Sequence, residues 1–565
     1  MPDPAAALLL PGDAFDTDQL QVMGRRVAGR SLALALAKHL QPGEQLRLIA
    51  LEASERQRLV ALLQPALPAD CSLAVGSSLN PQQLSAQGCL HLPEPGLGKW
   101  TQLRSGLPQQ AFSLTGIIHT LCSAGVCDAL EDLLTAPLQP WDALICTSTA
   151  GRMVVENAIG ARHEALQRRF GQTLPRPEGP QLPLIPLAID PEPLRWQGRF
   201  DSRQQQRLWA RQQLGLDANA LIVLFVGRLS FHSKAHPGVL YRSLAATSSH
   251  CAQPVVLLEC GHFFNGEIAA AWQRLSATYP QLPVHRLGGL EPASEREKQL
   301  ALAAADLFCS PADNLQETFG LSLLEAMAAE LPIIASDWNG YRDLVDHESN
   351  GLLVPTADPL ASALPTQPDA LETSYRLGLL GYDQLVAQRS LAVVVDGAAL
   401  QAALAGLLLN PERRVKMGER GRQKLEQQFS WAVVAGQYRQ LWAELANRRS
   451  EADASGSSTL QPPPHVTQAQ LFRHYPTEAL CMEGPWRRTD LDAQLLLEPM
   501  QAATLEGWCS QQLGSLVQWL NEWPQAQSIS SDALQATWSA LGVPAVSQRP
   551  LLGALLKLGA LERMP

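Results

Sequence analysis

Short apolar runs bounded by turn residues recur along both halves of this 565-residue chain, with longer amphipathic stretches between them. AAALLLPG, LRLIALEA, LTGIIHT and WDALICTS punctuate the first half, and LIVLFVGR, PVVLLECG, ADLFCSP, LPIIASD and NGLLVP the second. Runs so short and so continuously apolar suit strands buried on both faces of a parallel sheet, with the intervening segments as crossover helices. The chain is too long for one core, and two such series predict two doubly wound α/β domains. The break falls where LIPLAIDPEPLRWQGRFDSRQQQ turns from a strand to prolines and charge, which gives domains over 1–195 and 196–447. A stretch around 367–392, QPDALETSYRLGLLGYDQLVAQ, interrupts the second series as an inserted pair of helices. Residues 448–465, RRSEADASGSSTLQPPPH, have the composition of a linker. Beyond it, 466–565 read as a small, mainly helical domain whose tryptophans belong to its core.

Doubly wound domains bind ligands outside the carboxyl ends of their strands, so the cleft between the two is the expected site. A formal net charge of -10 leaves no broad basic footprint for nucleic acid or an anionic membrane. Any anion must then be held by a local pocket, and membrane contact is peripheral at most. The 10 cysteines show no CxxC pair, which points to reduced thiols in a cytosolic protein and not to a disulfide framework or a zinc site. The opening MPDPAAALLLPGD lacks a basic n-region, and its apolar run is short for a signal peptide or a membrane span. A cytoplasmic protein is expected.

The stretch NLQETFGLSLLEAMAAELP places Glu317 and Glu325 around a Phe-Gly pair where a helix begins, close to Phe319 and Gly320. Free N–H groups of the first turn and the positive end of the helix dipole make an anion site there, and Gly320 lets a phosphate approach the main chain. Glu317 lies in the loop before the helix and Glu325 about two turns in. Carboxylates beside phosphate oxygens would repel them, so both should face hydroxyls, and a phosphate flanked by hydroxyls describes a sugar nucleotide. Taken alone, two such glutamates are more often capping or solvated charges. LIVLFVGRLSFHSKAHPG adds weight: Arg228 leaves the end of the second domain's first strand and Lys234 follows. Two cations there can neutralise a diphosphate leaving group without a metal.

Over roughly residues 1–447 these stretches resemble the group 1 glycosyltransferases, the family-four retaining sugar-nucleotide enzymes of the GT-B fold. The resemblance rests on GRLSFHSK, ETFGLSLLE, LLEAMAAELPIIASDWNG and GLLVP in this order and spacing. It implies two Rossmann-like domains facing a cleft, and a hexosyltransferase that moves a sugar from a UDP- or GDP-linked donor to a hydroxyl acceptor with retention. No cofactor or metal is expected beyond the nucleotide-sugar co-substrate. By the resemblance, Arg228 and Lys234 bind the donor diphosphate, Glu325 the ribose hydroxyls, and Glu317 the sugar near its reacting carbon. The main chain at Phe319, Gly320 and Leu321 meets phosphate or sugar, and that near Leu290 in RLGGLEP meets the base.

In the first domain His119 ends a predicted strand, LTGIIHT, facing the cleft. A lone His is usually a core residue, but the resemblance implies contact with the donor sugar or the reacting centre. QVMGRRVAGRSLALAL supplies a glycine-bearing helix start at Gly24 and Gly29, and the resemblance makes Gly29 part of the turn that admits donor and acceptor. FDTDQ carries a D-x-D triplet, Asp16 and Asp18, the metal-binding signature of another glycosyltransferase fold, but it comes too early in the chain for that fold and reads as solvated turn acids. Two other readings share the pattern: an epimerase or phosphorylase built on the same two-domain cleft, and a non-enzymatic scaffold acting through its helical tail. Donor sugar and base are open, and so is the acceptor: saccharide, small molecule, protein or lipid-linked.

Overall fold

The computed structural model describes residues 6–16, 24–192, 200–362, 369–454, 459–463, 465–477, 479–509, 513–525 and 527–564. The expected boundary at 195/196 and Asp18 lie outside them. The chain divides into two compact units, Met1–Pro464 and His465–Pro565.

The first unit contains two six-stranded sheets. Strands β1 (Ala7–Leu9), β2 (Gln45–Ile49), β3 (Ser72–Gly76), β4 (Cys89–Leu92), β5 (Ser113–Ile117) and β6 (Ala143–Ile145) form one, in the order β3-β2-β1-β4-β5-β6. Strands β7 (Leu221–Val226), β8 (Val255–Cys260), β9 (Val284–Leu287), β10 (Leu307–Ser310), β11 (Ile333–Ser336) and β12 (Gly351–Val354) form the other, in the order β12-β11-β10-β7-β8-β9. Every pairing in both is parallel. All of β7 is buried, with Ile222 and Leu224 in the core on one face and Val223 and Phe225 in the core on the other. That two-sided burial is why the sequence reads as an unbroken apolar run. Each sheet has the doubly wound order in which the chain starts in the middle, works outward, then returns to the centre. The switch points, between β1 and β4 and between β7 and β10, open a crevice at the carboxyl ends of the strands.

Three features differ from the sequence expectation. Helix Trp431–Ala454 does not complete the second domain. Its Val434, Tyr438, Trp442 and Leu445 lie in the core built on β1 and β2, and Trp431 Nε1 donates to Ser31 Oγ at 2.9 Å. An apolar helix face carries no record of which sheet it covers. The linker is pinned at one end: Gly106 N donates to Gln461 O at 3.0 Å and Gln461 N to Leu107 O at 2.8 Å. The inserted helices, Ala370–Arg376 and Tyr382–Ala392, leave and return through two short strands, β13 (Thr356–Ala357) and β14 (Val394–Val395), paired antiparallel.

The second unit adds a sheet to its helices. Strands β15 (Trp486–Arg488), β16 (Ser528–Ile529) and β17 (Leu561–Arg563) pair antiparallel in the order β16-β15-β17, with four helices over 499–557 packed around Trp486 and Trp538. Strands of two or three residues are too short to show alternation, so the segment reads as helical. Trp523 is buried as well, and Trp508 and Trp519 pack against the same core. Among the described residues no helix is long and apolar enough to cross a membrane.

Candidate functional site

The second sheet's switch point carries the predicted residues. After β7 the chain leaves through Gly227 and Arg228, and after β10 through the loop 311–320, which leads into helix Leu321–Ala328. Lys234 returns from the first loop so that its ammonium meets the Glu317 carboxylate of the second in a close ion pair, with side chains 11% and 16% exposed. The same Nζ donates to the Tyr341 hydroxyl at 3.0 Å, and that hydroxyl lies 2.9 Å from Ser310 Oγ and 3.3 Å from Glu317 Oε2. Burial by itself would favour the neutral forms, but the pair outweighs it, holding Glu317 below and Lys234 above their ordinary ranges. Both are ionised at neutral pH. An ammonium has three N–H donors; Glu317 and Tyr341 take two, which leaves a third for a phosphate oxygen.

The loops that hold these groups are themselves fixed. Asn314 Nδ2 donates to Lys234 O at 2.5 Å, Trp338 Nε1 to Asn314 O at 2.9 Å, and Asn339 Nδ2 to Glu317 O at 2.6 Å. Arg228 Nη2 donates to Ser233 O at 3.1 Å and to Gln316 Oε1 at 3.0 Å. Gly320 is the helix N-cap with φ 112°, a left-handed geometry natural to glycine, and a Cβ there would fall 2.5 Å from the Tyr341 ring. Gly261, just beyond β8, leaves no room for a side chain either: its Cβ would lie 1.8 Å from the Gly227 carbonyl oxygen. The backbones after β7 and β8 therefore approach each other closely at the carboxyl ends of the strands.

Of the predicted residues, Arg228, Lys234, Glu317, Gly320 and Leu321 converge here. The helix starts at Leu321, so Glu325 is its fifth residue, little more than one turn in. Lys298 Nζ donates to Glu325 Oε1 at 2.8 Å, an ion-pair partner that the sequence reading missed. Phe319 turns its ring into the core against Phe429, so only its main chain can serve a ligand. Leu290 sits 63% exposed on the turn after β9. His119 and Gly29 are placed elsewhere, lining a small cavity of the first domain with His91 and Tyr438. Gly29 is not at a helix start: it is the sixth residue of helix Gly24–Lys38, where a Cβ would fall 2.1 Å from Ala14 O, so it serves close helix packing. Asp16 is not solvated but buried, paired with Arg58 at 2.5 Å. Among the described residues no group of three or more His, Cys, Asp or Glu is arranged to hold a metal ion.

The first domain reaches this site through Ser148, at the start of helix Thr149–Phe170. Its Oγ donates to Thr318 O at 2.9 Å, and Thr149 N donates to Asp343 Oδ2 at 2.6 Å. The loops at the carboxyl ends of both sheets therefore face each other beside Glu317. Tyr341, Asn339 and Ser148 escaped the sequence reading. The only signal for the first two is the turn-forming NGY after LPIIASD.

Asp313, 5% exposed, accepts from His236 N at 3.0 Å through Oδ2, while its buried Oδ1 has no partner. Burial pushes its carboxyl up to about 7. A folded pKa above the unfolded one gives stability that is whole below the ordinary Asp range and fades as pH rises toward the folded value. Asp313→Asn keeps an acceptor for His236 and should flatten the fall in melting temperature between about pH 4 and about 7. An unchanged profile would contradict that assignment.

Residues 220–365 match the family model for glycosyl transferases group 1. The chain is 28% identical over 238 residues, 41% of its length and 50% of the other's, to an alpha-maltose-1-phosphate synthase of Mycolicibacterium smegmatis. It is 30% identical over 255 residues to a D-inositol 3-phosphate glycosyltransferase of Xylanimonas cellulosilytica, covering 44% of this chain and 56% of that one. The chain thus spans about half the length of the curated relatives it matches. Among solved structures, Anabaena HepE in complex with UDP aligns with a TM-score of 0.49 at 15% identity, over 78% of this chain and 100% of that one.

Proposed function

We infer that this chain, whose residues 220–365 are those of a group 1 glycosyltransferase, moves a sugar from a nucleoside diphosphate donor to a hydroxyl acceptor. The observation that carries this reading is the set of Arg228, Lys234 and Glu317 at the carboxyl ends of β7 and β10, beside the helix start at Gly320. The donor diphosphate lies against Arg228, the third N–H of Lys234 and the first N–H groups of helix Leu321–Ala328. Glu325 binds the ribose hydroxyls, and the turn at Leu290 borders the base of the UDP- or GDP-linked donor. As the bond between the anomeric carbon and the diphosphate oxygen breaks, its electron pair goes to that oxygen, where the two cations and the helix dipole stabilise the charge. Glu317 stands beside the positive charge growing on the sugar, and His119, in the first-domain cavity just beyond β5, is the residue of that domain that we assign to the sugar. The acceptor oxygen bonds to the anomeric carbon on the face the leaving group vacates, and its proton passes to the diphosphate. Configuration is thereby retained. No metal is needed, since Arg228 and Lys234 supply the positive charge. We place the protein in the cytoplasm, on the scattered spacing of the 10 cysteines in the sequence.

The test is a melting-temperature screen with UDP, GDP, ADP and their sugar conjugates in EDTA. A ligand at 100 times its dissociation constant stabilises the fold by about 2.7 kcal/mol. One nucleotide should raise the melting temperature, and Arg228→Ala should abolish that rise. Absence of any shift would refute the donor site and favour a scaffold role. His119→Ala should lower turnover and leave nucleotide binding unchanged; full turnover in that variant would remove His119 from the mechanism.

A further inference from the structure

The first sheet leaves a recess at one edge. On β2, Leu46 and Leu48 join the core that helix Gly24–Lys38 covers, while Ile49 joins the core on the opposite face. Alternation along the strand puts Gln45 and Arg47 on the same face as Ile49. The neighbours of Arg47 in the sheet are Ala7 on β1 and Ala74 on β3, so small side chains flank it on both sides. Helix Pro81–Gln87, 7 residues long, packs on this face through Leu84 and leaves a cavity of about 250 Å³ between itself and strands β2 and β3.

The polar groups that line this cavity lack partners. Arg47 Nε donates to Gln45 Oε1 at 3.4 Å, but among the described residues its guanidinium meets no carboxylate, and no acidic side chain lines the cavity. Gln87 Oε1 is buried without a partner, and the side chains of Gln83 and Ser78 make no hydrogen bond among the described residues. A half-buried guanidinium without a counter-ion carries a cost that a bound anion removes, and its planar fork fits a phosphate or a carboxylate. Gln83 and Gln87 lie four residues apart on one helix face, and each amide can both donate and accept. Ile49 and Leu84 add apolar surface beside them. An anionic group for Arg47, hydroxyls for the two amides and a C–H face for the apolar wall describe one kind of molecule.

We propose that the cavity between β2, β3 and helix Pro81–Gln87 is a second binding site, which takes an anionic polyol of monosaccharide size, a sugar phosphate or a sugar acid, with its anion on Arg47. The site is separate from the donor loops. In the order of the sheet β2 stands four strands from β6, roughly 19 Å at ~4.8 Å per strand. Ser148, the first-domain residue that meets Thr318, follows β6. A ligand of this size in the cavity does not reach Glu317, so the site stands whether or not the donor assignment does.

The experiment is calorimetric titration of the full chain with glucose 6-phosphate, glucuronate, glucose and inorganic phosphate. At least one of the two anionic sugars should bind, and which one does tells a phosphate site from a carboxylate site. Glucose and inorganic phosphate, each offering only half of the contacts, should bind at least tenfold more weakly. Arg47→Gln should raise the dissociation constant of the bound sugar about ten- to a hundredfold, the effect of losing a hydrogen bond to a charged group. Its melting temperature should match that of wild type, because no ion pair is lost. Gln87→Leu, which keeps Arg47, should cost about two- to tenfold with the sugar and nothing with inorganic phosphate. Arg228→Ala should leave all four titrations unchanged. Failure of both anionic sugars to bind, or affinity unchanged in Arg47→Gln and Gln87→Leu, would overturn the site. Inorganic phosphate binding as tightly as glucose 6-phosphate would reduce it to an adventitious ion only, and a loss confined to Arg228→Ala would move the ligand to the donor loops.

Discussion

Glu317→Gln should bind the nucleoside diphosphate at least as tightly as wild type while losing about a thousandfold in turnover, the upper range for one electrostatic stabiliser. The opposite signs follow from the ion pair. In the free protein the Lys234 ammonium is neutralised by Glu317, so removing that charge releases Lys234 toward the diphosphate and should lower its dissociation constant. The same change strips the negative charge from beside the sugar carbon, where positive charge develops in the transition state. Stability should fall by about 3 kcal/mol, because a cation only 11% exposed loses its partner, moderated by the Tyr341 hydroxyl. Single-turnover kinetics at a temperature where the variant is folded separates the two effects. Full turnover in Glu317→Gln would end its proposed role, and weaker diphosphate binding would contradict the exchange of partners at Lys234.

The pair also sets a pH window. Burial opposes both charges, yet mutual attraction lowers the folded pKa of Glu317 and raises that of Lys234. The Glu317 contribution is present above the unfolded carboxylate range, about 4.3, and is lost as pH falls through its lower folded value. The Lys234 contribution is present below about 10.4 and is lost as pH rises through its higher folded value. Between those limits the pair contributes evenly, so Asp313 should stand out as the group at this site that makes stability decline toward neutral pH.

Gly320→Ala should be the most damaging change that alters no charge or hydrogen-bonding side chain. At φ 112° an alanine is strained, at about 1–3 kcal/mol. Its Cβ would also meet Tyr341 Cε1 at 2.5 Å, and Tyr341 is fully buried with no room to retreat. Either the helix start moves away from the phosphate position or the ring breaks its bonds to Ser310 and Lys234. We expect a melting temperature lower by several degrees and nucleotide binding lost at concentrations that saturate wild type. Gly43→Ala is the control: φ there is also positive, 84°, but nothing lies within 4 Å of the added Cβ. It should show the modest strain cost with binding intact. Equal melting losses in the two variants, with binding retained in both, would mean that the contact with Tyr341 does not govern the site.

Much of the site was legible because it lies in short runs of contiguous sequence. Arg228 and Lys234 flank one loop, and Glu317, Gly320 and Glu325 another, each at the end of an apolar run that reads as a strand. Tyr341 and Lys298 were not legible. A tyrosine after a turn and a lysine on a charged helix carry no local signal, and each gains its role only from a partner many residues away. Gly29 misled for a related reason, since a glycine admitting a ligand and one admitting the Ala14 carbonyl look alike in a sequence.

The sequence by itself determined the two parallel sheets, because strands buried on both faces must be apolar at every position and their connections must be long enough to cross over. It determined the charged loops after β7 and β10 as well, since a helix start with glycine, two cations and two carboxylates is local chemistry. Only the tertiary structure decided that Lys234 is held by Glu317, that helix Trp431–Ala454 returns to the first domain's core, and that the inserted helices meet residues 122–128. Those are contacts between segments far apart in the chain. Which of many apolar or polar faces will meet is set by the packing of the whole unit and is not written in any one of them.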